Sequence, residues 1–169
     1  SLGGLAKRVG MSKSGIYAHF ESKEELQRQV LDATAARFID VVVLPALKQP
    51  RGLPRVRALF AGWLRWSTAE LSGGCPFIAA ATEFDDRPGP VRDTLVAHLR
   101  DVTGTVARAA RISVEEGHFS KDLDVDQFTF EVWGLLLAHH HFCRLMRRDE
   151  ARIWADRAFA DLIDKSKAA

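Results

Sequence analysis

Cysteine is scarce in this chain: two in 169 residues, Cys75 and Cys143, far apart in sequence. Two isolated thiols make neither a disulfide framework nor a zinc pattern, and they fit a reducing, cytoplasmic setting. Long apolar runs are also missing. The longest, Val132 to Ala138, is far short of the roughly 20 residues that a bilayer-spanning helix needs, so no membrane partner is expected. No basic-then-apolar leader opens the sequence. Val, Ile and Thr never alternate over a strand length between turns, which argues against sheet. There is no internal repeat and no low-complexity linker. Acid is absent from one stretch in particular. From Ser1 to Phe20 the charged residues are Lys7, Arg8 and Lys13, and the first acid is Glu21. The whole chain carries a formal charge of only +2, so this basic start on a nearly neutral body points to a polyanion partner at that end.

What is present is helix. Hydrophobic residues make up 47% and charged residues 27%, an ordinary globular balance that allows a sizeable core. The chain begins at Ser1 inside a structural pattern, so residues before it are expected. Gly3 to Val9 reads as a short helix, with Gly10 at a left-handed C-cap and Ser12 at the next N-cap. Met11 and Ile16 are placed for a hydrophobic staple. A second helix runs from Lys13 to Phe20. Ser22 with Glu25 forms a capping box that starts a long helix, expected to stop near Leu44 because Pro45 follows.

Pro54 suits the first turn of another helix, with Val56, Leu59, Phe60, Trp63, Leu64, Ser67 and Leu71 on one stripe. Gly73 and Gly74 end it, and Pro76 opens a shorter helix to about Phe84. The segment from Asp85 to Pro90 reads as a turn, with Asp86 able to cap the next helix. That helix carries Val91, Leu95, Leu99, Val102, Val106 and Ala110 and ends near Gly117. Asp124 with Gln127 makes a second capping box, and Leu123 with Phe128 a second staple, for a helix to about Arg147. Asp149 is placed to cap a last helix with the stripe Ala151, Ala155, Ala158, Phe159 and Leu162.

The opening pair of helices has the makings of a helix-turn-helix. Ala6 and Gly10 are small enough for a close crossing, and Leu5, Val9, Ile16 and Phe20 supply the inner face. Lys13, Ser14 and Tyr17 share the outer face of the second helix, suited to phosphates and base edges. Gly15 costs about 1 kcal/mol in a helix interior, which a close approach to DNA would explain. The Ser22 cap leaves free N–H groups at a helix N-terminus beside Lys23, a good phosphate clamp.

The run Leu5-Ala6-Lys7-Arg8-Val9-Gly10-Met11-Ser12-Lys13-Ser14-Gly15-Ile16-Tyr17-Ala18-His19-Phe20-Glu21-Ser22-Lys23-Glu24-Glu25-Leu26 closely resembles the TetR family of regulators. Its specific part is the Tyr-x-His-Phe-x-Ser-Lys-x-x-Leu tail. The resemblance implies a recognition helix from Ser12 to His19, with Lys13, Gly15, Tyr17, His19 and Lys23 at DNA-contacting positions beside the hydroxyls of Ser12 and Ser14. The family's first helix is not in the sequence. Downstream, Gly73-Gly74-Cys75-Pro76-Phe77, Glu83 to Val91 and the segment from Gly117 resemble one subgroup of TetR-type C-terminal domains.

The helix after Asp124 is apolar nearly all round, through Phe128, Phe130, Val132, Trp133, Leu135, Leu136 and Leu137, so it needs burial on two sides. One side can face its own bundle. The other, with the last helix, suits a homodimer through the last two helices, and twofold symmetry suits a palindromic operator in double-stranded DNA. The resemblance also implies an effector among the middle helices, a small, largely hydrophobic molecule. Candidates for its pocket are Trp63, Trp66, Ser67, Phe77, Phe84, His98, Trp133 and His141, with Thr82 as a further polar group.

Two other chemistries read poorly. His139, His140 and His141 fan out by about 100° each on a helix and cannot converge on one ion. Glu83, Asp85 and Asp86 sit at a helix end with no nucleophile, phosphate loop or metal motif to join them. No metal, no cofactor and no catalytic residue are expected. The sequence therefore predicts an all-α protein with a helix-turn-helix head over residues 1–28 and a ligand-binding and dimerisation bundle over residues 29–169. Its expected role is that of a ligand-responsive transcription regulator, a repressor as is commonest in the family. The alternative is a helical ligand-binding or enzymatic protein whose head is not used on DNA.

Overall fold

A computed structural model describes residues 2–70 and 73–168, with the side chains of residues 2, 3, 13 and 17 outside the described set. Leu71, expected on an apolar stripe, also lies outside it. The described residues form helices throughout: α1 (Leu2–Val9), α2 (Lys13–Phe20), α3 (Lys23–Phe38), α4 (Leu44–Leu47), α5 (Leu53–Arg65), α6 (Pro76–Phe84), α7 (Pro90–Glu115), α8 (Val125–His140) and α9 (Ala151–Ser166). Three widened π-turns, Ile39–Val43, Trp66–Glu70 and His141–Leu145, extend α3, α5 and α8.

The first π-turn explains why the long helix does not stop at Leu44. Proline has no N–H to donate, and its ring clashes with the carbonyl four residues back. In the turn before Pro45 the Leu44 N–H reaches Ile39 O, five residues back, and the widened ladder carries the helix past the ring to Leu47. Other ends also depart from expectation. Gly89 (φ 143°) precedes α7 with no side-chain cap, and Asp86 instead donates its N–H to Asp85 Oδ1 at 2.9 Å. Glu150 rather than Asp149 stands at the N-cap of α9, again without a side-chain bond, and its carboxylate takes Arg148. The helix expected to run to Arg147 ends with the π-turn at Leu145.

Both predicted capping boxes form only their first half. Ser22 Oγ accepts from Glu25 N–H at 3.0 Å, and Asp124 Oδ1 accepts from Asp126 and Gln127 N–H. Glu25 turns instead to Arg28 and Gln29, and Gln127 to Glu131. A carboxylate one turn from a guanidinium gains a charge-assisted bond, which outcompetes a return bond to the backbone.

The core sits in the body. Helix α5 runs through its middle, against α7 on one side and α8 on another, with the α3–α4 path packed alongside. The stripe predicted on α5 is buried as a whole from Val56 to Ser67, and Leu64 is sealed completely. Phe38, Trp63, Trp66 and Phe77 meet edge to face with ring centroids 5.0–6.3 Å apart, and Phe60 stacks on Phe159 at 3.8 Å. Each aromatic buries a large apolar surface, so this cluster carries much of the folding energy. Gly52 (φ 85°) lets the chain enter α5 tight against His118, whose Nδ1 accepts the Leu53 N–H at 3.2 Å; a Cβ there would run into that ring. No helix among the described residues is long and apolar enough to cross a membrane.

Candidate nucleic-acid interface

The head is shaped by its turns. Gly10 has φ 69°, and the Met11 N–H reaches back to Ala6 O at 3.0 Å, the bond that closes a helix on a left-handed residue. Among the described residues nothing lies within 4 Å of where a Gly10 Cβ would stand, and its positive φ is what the turn requires of it. Ser12 Oγ then accepts the Gly15 N–H at 2.9 Å and starts α2. This cap gives Gly15 a local reason: a Cβ there would stand 3.2 Å from Ser12 Oγ and 3.5 Å from Met11 Cε.

Between α2 and α3 the chain turns through Glu21 at φ 54°, and Ser22 caps α3 from an extended conformation. Ala6 and Ile16 are the buried residues among the described side chains of this part. Leu5 and Phe20 are half-buried beside them. Val9, expected on the inner face, is 52% exposed. Helix α1 ends at this residue, the chain swings away through Gly10, and no described element packs over it.

The outer face presents Ser12, Ser14, His19 and Lys23 to solvent, with Gly15 half-buried among them. Ser12 and Ser14 share a hydroxyl–hydroxyl contact at 3.0 Å. Lys13 and Tyr17 belong to α2, but their side chains lie outside the described residues. Lys7 and Arg8 close α1 on the same acid-free segment. At the start of α3, Lys23 is exposed next to the Ser22 cap, where the free N–H groups and the helix dipole favour an anion. This surface offers backbone and side-chain donors, hydroxyls and positive charge, the chemistry that phosphates and base edges take up.

Among the described residues, two polar bridges join the head-bearing helix to α7, and Arg37 further along it bonds Glu70 of the π-turn after α5. Arg28 Nε donates to Thr94 Oγ1 at 3.3 Å, and His98 Nε2 meets Asp32 Oδ1 at 2.7 Å one turn further on. Helix α3 is continuous through the boundary expected between residues 28 and 29, so a tilt of α3 against α7 moves the whole head.

The residues predicted to line an effector pocket do not form one wall. Trp63, Trp66, Phe77 and Ser67 are buried together in the aromatic core, and Trp133 meets Trp63 at 5.2 Å. Phe84 lines an open apolar groove of about 340 Å³ with Leu5, Leu26 and Val30, under the head. His98 is committed to Asp32, and its ring faces Phe77 at 6.1 Å. His141 is exposed beside Phe142, and exposed Thr82 bonds to its own helix through Ile78 O. The imidazole that reaches Ser67 is His139, whose Nδ1 lies 3.4 Å from Ser67 Oγ. Helical periodicity cannot select among three adjacent histidines; packing against α5 does. Burial pushes His139 and His140 below the ordinary imidazole value, with Arg152 acting in the same direction on the first and Arg144 on the second. Trp66 Nε1, donating to buried Cys75 Sγ at 3.4 Å, was also beyond sequence reasoning. Among the described residues no three His, Cys, Asp or Glu side chains gather as a metal site.

An all-helical body carrying a basic helix-turn-helix head defines a DNA-binding regulator. The head matches the model of the bacterial regulatory proteins of the tetR family over residues 1–30, and the body matches the tetracyclin repressor-like C-terminal domain over residues 52–159. The chain belongs to the TetR family of transcriptional regulators.

Among solved structures, a TetR regulator from Chloroflexus aurantiacus is similar with a TM-score of 0.84 at 20% identity, covering 97% of this chain and 82% of that one. A TetR-family regulator from Cytophaga hutchinsonii gives 0.82 at 20% identity, over 100% and 85%. AibR, solved in complex with isovaleryl coenzyme A and operator DNA, gives 0.75 at 19% identity, over 93% and 83%. At these identities the likeness is one of fold. A search of curated proteins gives no match.

Proposed function

We propose that this TetR-family regulator works as a homodimer on a palindromic operator, as a repressor that a small, largely hydrophobic effector releases. The observation that carries the dimer is an apolar surface on the last two helices. Phe130 and Leu145 are 71% and 72% exposed, and Leu137, Phe142, Ile153 and Trp154 join them on α8, its π-turn and α9. Large side chains gathered on two adjacent helices favour a self-complementary interface. Two heads related by that twofold suit half-sites about 34–36 Å apart, or a multiple of that spacing.

Each head reads DNA through Ser12, Lys13, Ser14, Gly15, Tyr17, His19 and Lys23. Release is a population shift: the effector binds better to the conformation whose heads are misspaced, and it weakens DNA binding by that difference. The Arg28–Thr94 and Asp32–His98 bridges are the natural place for α3 to pivot on α7. AibR, which holds both an acyl-coenzyme A and operator DNA, supports a ligand-responsive reading of the shared fold.

Mobility shift with operators selected from random DNA tests the reading. Binding should weaken steeply as salt rises. The double variant Lys13→Ala with Tyr17→Ala should lose the shift while keeping its helical content. Sedimentation at micromolar concentration should find a dimer. A monomer, or a wild type with no sequence-selective binding, would overturn the proposal.

A further inference from the structure

Among the described residues, two buried side-chain atoms in the body have no partner within hydrogen-bond reach: Trp63 Nε1 and His140 Nε2. Trp63 lies on the seam between α5 and α8, where it meets Trp133, and His140 is the last residue of α8. Trp63 and Ser67 are four residues apart and share a face of α5; Trp133 and His140 are seven apart and share a face of α8. The helices are tied at two levels, by the Trp63–Trp133 ring contact at 5.2 Å and by Ser67 Oγ with His139 Nδ1 at 3.4 Å. Both run into π-turns at the far end of this seam, Trp66–Glu70 and His141–Leu145, where the helical ladder is already loosened.

A buried donor left without an acceptor is costly, and an indole N–H can only donate. Trp63 is buried against the rings of Phe38 and Trp133. The charged groups that act on the seam, Arg144, Arg152 and Asp156, act on the two imidazoles at its other end. A carboxylate at Trp63 would lose its hydration among aromatic rings in exchange for one neutral donor. An amine would bring a donor against a donor. A neutral acceptor satisfies the indole without bringing charge into apolar surroundings.

We propose that the α5–α8 seam takes the polar group of the effector, and that this group is an uncharged hydrogen-bond acceptor, a carbonyl oxygen, received by the Trp63 indole N–H with Ser67, His139 and His140 alongside. This rests on the ligand-responsive reading of the protein and names the effector's chemistry.

Cyclohexanone, cyclohexanecarboxylate and cyclohexylamine share one apolar ring and differ in charge. Each is titrated into the full-length protein while the indole N–H signals are followed by nitrogen-edited NMR, with Trp63 assigned through Trp63→Phe and exposed Trp154 as internal control. Cyclohexanone should shift the Trp63 signal saturably and leave Trp154 in place, and the two charged probes should leave Trp63 unmoved. Trp63→Phe should weaken cyclohexanone roughly tenfold by thermal shift. Should that variant not fold, His140→Leu assigns the response to the seam in its place, by altering the Trp63 shift at saturation.

A Trp63 signal that ignores cyclohexanone, that answers a charged probe equally, or that stays bound to a retained water overturns the proposal. Release of the operator by some other small molecule would then leave the ligand-responsive reading standing. Cyclohexanone seated at Trp63 with operator affinity unchanged would support the seam and count against that reading.

Discussion

In the head, Ala6 and Ile16 are the buried residues among the described side chains of α1 and α2, and bonds at Gly10, Ser12 and Ser22 set the chain's path. In the body, Phe38, Trp63, Leu64, Trp66 and Phe77 are packed to exclusion of solvent around α5. The head is thus specified by where helices start and stop, and the body by what it removes from water. This division leaves Ser12, Ser14 and His19 of the head exposed to solvent. It also leaves the head joined to the body through one helix, α3, steadied by exposed or half-buried polar bridges to α7 and to the π-turn after α5. A module held this way can be re-aimed at little cost to the fold.

Core truncation should give the largest effect. Leu64→Ala, at a side chain with no exposed surface, should lower stability by about 2–5 kcal/mol in denaturant unfolding. Ile16→Ala should instead open the head locally, visible by hydrogen exchange in α2 with a far smaller change in the global midpoint. Equal global losses would erase the distinction between the two regions.

Cap removal comes next. Ser22→Ala should cost about 1 kcal/mol, felt as faster exchange in the first turn of α3 and weaker operator binding. If body amides are deprotected as strongly, head and body are one cooperative unit and not two.

Acid should act through the body. His139 and His140 are held below the usual imidazole value of 6.5 mainly by burial, so the unfolded chain takes up protons first. Their contribution is intact above about pH 6.5 and is lost as pH falls from there towards the lowered folded values. Unfolding midpoints should therefore decline below that pH, and His139→Gln should flatten the decline. A profile unchanged by the substitution would remove His139 from the cause.

The smallest effect on stability belongs to the head's surface. Lys23→Ala should leave the unfolding free energy within about 0.5 kcal/mol. It should reduce the salt slope of operator binding by the dimer by about 2, roughly 1 for the phosphate contact of each head. An unchanged slope would mean that the exposed start of α3 meets no phosphate.

Much of this was legible along the chain. Gly10, Ser12 and Ser22 act locally, and local bonds are readable from residue type and spacing. The α5 and α7 stripes were legible for a similar reason, since a periodic apolar face must be buried somewhere. The effector residues were less so. Phe84, His98 and His141 carry the right chemistry, but each faces a different neighbour: the head, Asp32 and solvent. His139, which reaches Ser67, has no feature in sequence that sets it apart from the two histidines after it.

The sequence by itself determined the helical class, the turn chemistry of the head, its acid-free outer face and the TetR signature, because each depends on residues near one another in the chain. Only the tertiary structure decided which faces meet. It exposed Val9, carried the long helix past Pro45, and set Trp63 against Trp133 and His139 against Ser67. The physical reason is rotational. A helix turns about 100° per residue, so one widened turn swings every following side chain to a new neighbour. Periodicity fixes that a face exists, but the partner of that face depends on elements distant in sequence.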